Sequence, residues 1–256
     1  MPDLLTDVAD GVLTLTFNRP EVFNALSGEM SLGLADQLEG AVSRSDVRVV
    51  VITGTGAAFS TGADIGGADA HERFDARALD LANRMVRAVV NLDKPVLAGV
   101  NGIAAGVGAS IALAADIIVA KESAAFLLAF SRVGLMPDGG ASATIAAGVG
   151  RARAMRMALL AEPLGASEAL DAGLITHLST DDEFDTTVAT LARRLAAGPP
   201  LAFTATKRAI NAATLSHLEG ALERERTGQT ILLRTADAAE GMRAFGEKRR
   251  PTFTGR

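Results

Sequence analysis

Two glycine-containing turns are the parts of this sequence whose residue types and spacing could do chemistry. The first covers 59–64 (FSTGAD), the second covers 101–108 (NGIAAGVG), and each follows a strand-like apolar run, at 47–52 and 95–100. Small residues let a ligand approach the backbone closely, and the second turn opens a helix, whose N-terminus adds partial positive charge. Two amides converging on one oxygen would form an oxyanion hole, which stabilises an enolate or a tetrahedral anion. Two tight turns without a ligand are the alternative, which periodicity alone favours.

Other familiar catalytic motifs are absent or incomplete. The sequence has no GxxxxGK[ST] phosphate loop and no cysteine, which excludes a thiol nucleophile, a zinc–thiolate site and an iron–sulfur cluster. The GxGxxG that begins at Gly106 has Ile111 in place of its last glycine, so a nicotinamide-dependent oxidoreductase is a weak alternative. The three histidines, His71, His177 and His217, lack metal-ligand spacing, and no metal site is predicted.

Composition limits the class of protein that carries these turns. The 256 residues are 48% apolar and 21% charged, which is typical of one large globular domain or a core with a small appendage. A net charge of −5 and the absence of Trp and Tyr argue against a nucleic-acid partner. The lack of cysteine and of an apolar leader predicts a cytoplasmic location. The uncharged stretch 95–115 contains a proline and four glycines, so no membrane span is predicted.

The first half of the chain alternates strand and helix patterns, which predicts an α/β fold with largely parallel pairing. A helix is predicted over 27–43, with Ser27 as its N-cap. A polar, glycine-containing loop is predicted over 64–75. The other predicted elements are strands at 12–17, 47–52, 95–100 and 117–119, and helices at 79–92 and 108–116.

The second half is predominantly helical and contains the clearest boundary in the chain. Gly198-Pro199-Pro200 separates a core of residues 1–197 from a C-terminal region of residues 198–256. Helices are predicted at 151–160, 167–172, 182–197, 201–213 and 217–244. The last two have apolar faces that a short tail could not bury on its own core, which predicts an oligomer. These apolar positions are Leu201, Ile210, Leu215, Leu218, Leu222, Ile231 and Leu232.

Several sequence blocks together resemble one enzyme family. They are NRP at 18–20 with NAL at 24–26, FSTGAD at 59–64, KPVLAGVNG at 94–102, Asp116-Ile117, GLMPDGG at 134–140, AGPPLA at 197–202 with ATK at 205–207, and FGEKR at 245–249. Their order and spacing resemble the enoyl-CoA hydratase/isomerase (crotonase) superfamily over nearly the whole chain. Each block alone is moderately specific, and the combination is strongly so.

The resemblance implies a fold, a substrate class and an assembly. It implies a spiral of ββα units followed by a C-terminal helical region that packs subunits into a homotrimer or a dimer of trimers. The substrate would be an acyl-CoA thioester. Coenzyme A would enter as part of that substrate, and no permanently bound cofactor would be needed.

The resemblance also implies roles for individual residues. Matching to the family places the two amides that hold the thioester oxygen at Ala63 and Val107. Asn24 and Ala25, together with Ala63 and Ile65, would line the CoA groove. Lys248 would approach the nucleotide phosphates.

The departures from the family pattern concern the acid–base groups. Hydratases of this family carry two glutamates that activate and deliver water, and matching places these positions at Ser110 and Phe130, neither of which is a carboxylate. Asp138 matches the position at which several family isomerases carry a single Asp or Glu. An aspartate with the ordinary pKa of about 3.9 is ionised at neutral pH unless it is strongly buried. Asp138 could equally be the N-cap of the following helix.

These matches and departures predict an acyl-CoA enzyme of fatty-acid metabolism that stabilises a thioester enolate. The favoured reaction is isomerisation of a 3-enoyl-CoA to a 2-enoyl-CoA, as needed in β-oxidation, with Asp138 as the proton shuttle. The alternatives are an enoyl-CoA hydratase of low activity, another enolate reaction such as dehalogenation or hydrolysis in which Asp138 attacks directly, and a non-catalytic acyl-CoA-binding subunit.

Overall fold

A six-stranded sheet forms the framework of the computed structural model, which describes residues 2–66, 71 and 74–256. The strands of this sheet are β1 (Leu4–Ala9), β2 (Val12–Phe17), β3 (Val49–Gly54), β5 (Val96–Val100), β7 (Ile117–Lys121) and β10 (His177–Ser179), in that spatial order. Only the β1–β2 pair is antiparallel within this sheet. The predicted α/β class with largely parallel pairing is therefore confirmed.

A second sheet is built from short strands that follow the strands of the first. Its members are β4 (Ala58–Ser60), β6 (Ile103–Ala105), β8 (Ala125–Leu127) and β9 (Leu164–Gly165), in that order. Two or three residues separate β3 from β4, β5 from β6 and β7 from β8, and helical structure follows each pair. This repeat is the predicted spiral of ββα units. The sequence did not predict the short strands, because three residues are too few to show an alternating pattern.

Helices cover the sheets and form the C-terminal part of the chain. They are α1 (Gly28–Ala41), α2 (Ala76–Asn91), α3 (Val107–Leu113), α4 (Ala141–Leu160), α5 (Ala166–Asp171), α6 (Phe184–Ala196), α7 (Pro200–Thr214), α8 (Leu218–Leu232) and α9 (Ala236–Gly246). The Met30 amide donates to Ser27 Oγ at 3.1 Å, which confirms the predicted N-cap of α1. Helix α4 begins ten residues earlier than predicted and is interrupted at Gly150, where φ is +75°.

The prediction of one helix over 217–244 is wrong. Helix α8 ends at Leu232 and α9 begins at Ala236, because Thr235 caps the second helix by accepting the Ala238 amide at 3.1 Å. The loop predicted at 64–75 lies partly outside the described residues, at 67–70 and 72–73. None of the helices in the described part of the chain is long and apolar enough to cross a membrane.

The C-terminal helices pack against the core of the same chain. Leu218 and Leu222 are buried in the main apolar core, so the prediction that these two leucines require a second subunit for burial is wrong. Lys207 Nζ lies 2.8 Å from Asp116 Oδ2, and burial lowers the pKa of the lysine while raising that of the aspartate. Asp116 Oδ2 also accepts the Val96 amide at 2.7 Å, which ties α7 to strand β5.

Two buried asparagines hold the turn that leads into β4 and the first glycine turn. Asn24 Nδ2 donates to Thr55 O at 2.9 Å and to Ala58 O at 2.8 Å, while Oδ1 accepts the Arg19 amide at 2.8 Å. Asn101 Nδ2 reaches the same Ala58 carbonyl at 3.0 Å. The turn is therefore held by side chains from two distant segments, which supply donors to its carbonyls.

Replacing Asn24 should destabilise the fold. We expect Asn24→Ala to lower the free energy of unfolding by about 2–4 kcal/mol, because Thr55 O and the Arg19 amide lose their partner and Ala58 O loses one of its two donors. Urea denaturation of this variant measures the loss. Asn91→Ala, at the exposed end of α2, is the matched control and should change stability by less than about 0.5 kcal/mol. Equal losses in the two variants would contradict the role given to Asn24.

Candidate active site

The two glycine turns are in direct contact. Gly62 has φ of +88°, and a Cβ at this position would lie 2.8 Å from Ala105 O and 3.3 Å from Val107 N. Glycine is required there both by the backbone conformation and by this close approach. The first turn is also anchored to the chain before α1, because the Leu26 amide donates to Gly62 O at 2.8 Å.

The amides of Ala63 and Val107 are available to a ligand. Within residues 2–66, 71 and 74–256, neither N–H has a hydrogen-bond acceptor in the protein. Val107 is the first residue of α3, where the helix adds partial positive charge. The contact at Gly62 brings the segments that carry these two N–H groups together, which is the arrangement an oxyanion hole needs.

Asp138 lies against the helix that carries the Val107 amide. The next residue, Gly139, has φ of +62°, and a Cβ there would lie 3.1 Å from Ser110 Cβ and 3.4 Å from Val107 Cγ2. Ser110 Oγ donates to Asp138 O at 2.8 Å. The glycine after the aspartate therefore allows the Asp138 loop to pack closely on α3.

The Asp138 carboxyl is buried, and among the described residues only one of its two oxygens has a hydrogen-bond partner. The residue is 8% exposed, and its Oδ2 accepts a hydrogen bond from Gln229 Nε2 at 3.0 Å. Its Oδ1 is buried and has no hydrogen-bond partner in the described part of the chain. A buried polar atom without a partner is unfavourable in a folded protein and marks a candidate reactive group.

Burial changes the ionisation of Asp138. Desolvation raises its pKa to about 7; the Gln229 hydrogen bond opposes this shift, and the charge of Glu225 adds to it. Asp138 is therefore the strongly buried case, in which the ordinary aspartate pKa does not apply because the side chain is removed from water. A carboxyl with this pKa can both accept and release a proton at neutral pH.

The alternative role of Asp138 as a helix cap is also wrong. Glu225, on α8, accepts the amides of Gly140 at 2.6 Å and Ser142 at 2.9 Å at the start of α4. Neither Glu225 nor Gln229 is predicted from the sequence. No local pattern could have identified them, because more than 80 residues separate each from its partner.

Ser110 and Phe130, at the positions that the resemblance matches to the hydratase glutamates, are both buried. Ser110 is completely buried, and its Cβ lies 3.1 Å from the position that a Cβ on Gly139 would occupy. Phe130 is buried, and its Cζ lies 4.0 Å from the position that a Cβ on Gly106 would occupy. The ring therefore packs beside the second glycine turn.

The predicted CoA-groove residues have different surroundings. Asn24 is fully buried, and its side-chain amide donates to Ala58 O within the protein. The prediction that Asn24 lines the groove is therefore corrected: its side chain supports the turn before β4. Ala25 is buried, and its carbonyl accepts a 2.7 Å bond from Arg19, which also pairs with Asp64. Ala63 and Ile65 are half-buried.

Lys248 lies beyond the last helix. It is exposed, has φ of +54°, and its amide donates to Phe245 O at 3.1 Å just after the end of α9. Its approach to the CoA phosphates stays a prediction.

Comparison with known proteins identifies the family. The family model described as enoyl-CoA hydratase/isomerase matches residues 7–256. A Rhodobacter capsulatus protein named "Probable enoyl-CoA hydratase" is 43% identical over 98% of this chain and 97% of its own length. The 1,2-epoxyphenylacetyl-CoA isomerase of Escherichia coli is 40% identical over the full length of both chains.

A solved structure gives the same result. The enoyl-CoA hydratase of Mycobacterium avium subsp. paratuberculosis superimposes with a TM-score of 0.93 at 49% identity, covering 99% of each chain. The fold is therefore the crotonase fold. The chain belongs to the enoyl-CoA hydratase/isomerase family.

Substitution of Gly62 tests the contact between the turns. Gly62→Ala places a Cβ against Ala105 O and displaces the Ala63 amide, so we expect kcat/KM on enoyl-CoA substrates to fall about 10²–10³-fold. Turnover is measured on a panel of 2-enoyl- and 3-enoyl-CoAs. It is normalised to the amount of folded protein, which circular dichroism gives. Gly165→Ala is the control, because Gly165 has φ of −64° and open space at its Cβ. Full activity of Gly62→Ala would contradict the assignment of the Ala63 amide to the oxyanion hole.

Proposed function

We propose that this protein isomerises 3-enoyl-CoA to 2-enoyl-CoA in fatty-acid metabolism. The observation that carries the proposal is the Asp138 carboxyl, which is buried beside the helix of the Val107 amide with a pKa of about 7 and whose Oδ1 has no hydrogen-bond partner among the described residues. Glu225 is also a buried carboxyl, but both of its oxygens accept backbone amides, so it has no oxygen free for the substrate.

The reaction needs one base and one anion site. The Asp138 carboxylate removes a proton from C2, and the C–H electron pair moves into a dienolate whose negative charge rests on the thioester oxygen. The Ala63 and Val107 amides hold this oxygen. Asp138 then delivers the same proton to C4, and the double bond moves from C3–C4 to C2–C3. No further cofactor is consumed, and coenzyme A leaves with the product.

Hydration is disfavoured by the residues around the base. Ser110 has its hydroxyl bonded to Asp138 O, and Phe130 has no exchangeable proton, so no second acid–base group stands ready to position and deliver water. Apolar packing by Phe130 also protects the dienolate from water. Both hydratase and isomerase names occur among the relatives, and the low-activity hydratase stays the alternative.

A second candidate follows from one relative. The E. coli relative, 40% identical over its full length, is named as an isomerase of 1,2-epoxyphenylacetyl-CoA. That substrate is also a CoA thioester whose rearrangement one base and an oxyanion site could assist. Adding it to the enoyl-CoA panel separates the two candidates. Binding of every CoA ester without turnover would instead indicate a non-catalytic acyl-CoA-binding subunit. Release of halide or of free CoA would indicate dehalogenation or hydrolysis, in which Asp138 attacks directly.

Exposed apolar side chains on the C-terminal helices support a trimer-based assembly. Leu201 is 85% exposed, and Ile210, Ile231 and Phe245 are each more than half exposed. Apolar surface of this kind favours burial against another subunit. Light scattering should give the mass of a trimer or a dimer of trimers, and a stable monomer would contradict this proposal. The boundary at 197/198 and the cytoplasmic location stay predictions.

Replacing Asp138 tests the base. Asp138→Asn keeps the size of the side chain and its bond from Gln229, so we expect 3-enoyl-CoA isomerisation to fall about 10²–10⁴-fold with unchanged affinity for CoA esters. Turnover is followed at the enoyl-thioester absorbance, and affinity by calorimetry. Asp171→Asn, at an exposed position on α5, is the matched control. Unchanged turnover in folded Asp138→Asn would refute the assigned role.

The same variant has a pH signature. The base is the ionised carboxylate, so wild-type kcat/KM should rise with pH through about 7 and then level off. A raised native-state pKa means that the stability from protonated Asp138 is complete below about pH 4 and is lost as pH rises through about 7. Asp138→Asn should therefore gain stability relative to wild type as the pH rises from about 4 to about 7, with no further gain above that. An equal pH dependence in both proteins would contradict the raised pKa.

A further inference from the structure

Helix α8 brings two polar side chains to the Asp138 loop from the C-terminal part of the chain. Glu225 and Gln229 are four residues apart, so they lie on the same face of α8, and each is 1% exposed. Every hydrogen bond that the structure gives to either side chain goes to a residue between Met136 and Ser142. Neither residue belongs to the acid–base pair of the hydratases.

The Gln229 amide has one possible orientation. Its Oε1 accepts the Met136 amide at 3.0 Å, while its Nε2 donates to Met136 O at 2.8 Å and to Asp138 Oδ2 at 3.0 Å. Exchanging the oxygen and the nitrogen would set a donor against the Met136 N–H and an acceptor against its carbonyl. The backbone of Met136 therefore determines that Gln229 presents an N–H to Asp138.

This orientation makes the two oxygens of Asp138 different. Because Oδ2 accepts the Gln229 N–H, the proton of the neutral acid resides on Oδ1, which has no partner in the described residues. A carboxyl that can turn freely would offer either oxygen to a substrate. Here one oxygen is fixed and the other is left for proton exchange.

Glu225 acts on the same loop from one turn earlier on α8. Its carboxyl accepts the Gly140 and Ser142 amides, which fixes the residues that follow Asp138 at the start of α4. Its charge also disfavours the ionised form of Asp138, whereas the Gln229 hydrogen bond favours it. Among the other groups around the pair, Arg224 acts on Glu225, and α3 contributes the non-titrating Ser110 and Val107.

We infer that Gln229 and Glu225 are positioning residues for the isomerisation, a role that rests on the proposed function. Gln229 fixes the Asp138 carboxyl so that Oδ1 takes the proton from C2 and returns it to C4. Glu225 holds the loop that carries Asp138 and sets a second negative charge near it. The two act on the charge state of the base in opposite directions, so that it can both accept and release a proton near neutral pH.

Opposite displacements of the pH–rate profile test this inference. With trans-3-hexenoyl-CoA as the probe, Glu225→Gln should move the acid limb of kcat/KM to lower pH, because it removes a negative charge while keeping an acceptor for one of the two backbone amides. Gln229→Met should move the limb to higher pH, because it removes the donor to Oδ2. We expect each shift to be on the order of 0.5–1 pH unit.

Controls separate these shifts from simple loss of structure. Glu223→Gln makes the same chemical change at an exposed position on α8 and should leave the acid limb in place. In both positioning variants, KM should change less than kcat, since the Ala63 and Val107 amides are untouched. A merely structural role would lower the amount of folded protein or kcat without moving the limb in opposite directions.

The outcomes distinguish this inference from the proposed function. If Asp138→Asn is inactive but neither positioning variant moves the acid limb, or both move it the same way, the inference is overturned and the isomerase proposal stands. If Asp138→Asn keeps full activity, the isomerase proposal fails first. Should Glu225→Gln not fold, Gln229→Met decides alone: a limb at higher pH supports the role of Gln229, and an unmoved limb overturns it. Should Gln229→Met not fold, Glu225→Gln decides in the same way with a limb at lower pH.

Discussion

The close approach of the two glycine turns is the constraint on which the rest of the site depends. Gly62 lies so near Ala105 and Val107 that no side chain fits between the turns. This contact requires strands β4 and β6 to be neighbours in the second sheet, and the buried Asn24 and Asn101 hold the turn before β4 in place. The spiral of ββα units thus has a local purpose, which is to bring two backbone amides from distant segments together.

The chemistry of Asp138 is a consequence of packing. The glycine after it allows the loop to lie against Ser110 and Val107, and this burial removes the carboxyl from water. Desolvation raises its pKa to about 7, into the range where a single group can take up and return a proton. The contact at Gly139 therefore underlies the proposed role of Asp138 as the base.

The C-terminal helices have a second role besides the predicted assembly. Helix α7 is tied to the sheet through Lys207 and Asp116, and α8 supplies Glu225 and Gln229 to the Asp138 loop. In our proposal, the exposed apolar residues of these helices, such as Leu201 and Ile231, contact other subunits. Assembly and catalysis would then share the same helices, because α8 contacts the base loop on one side and carries exposed apolar surface elsewhere.

The sequence by itself determined the features that local pattern encodes. Alternation over 12–17 predicted β2, Ser27 predicted the start of α1, and the residue blocks identified the family and the two glycine turns. Other features were decided only by the tertiary structure: the cap of α4 by Glu225, the orientation of Gln229, and the raised pKa of Asp138. The physical reason is distance along the chain. The hydrogen bond to Asp138 comes from Gln229, more than 90 positions away, and the burial of Asp138 depends on α3, more than 25 positions away, which no local periodicity records.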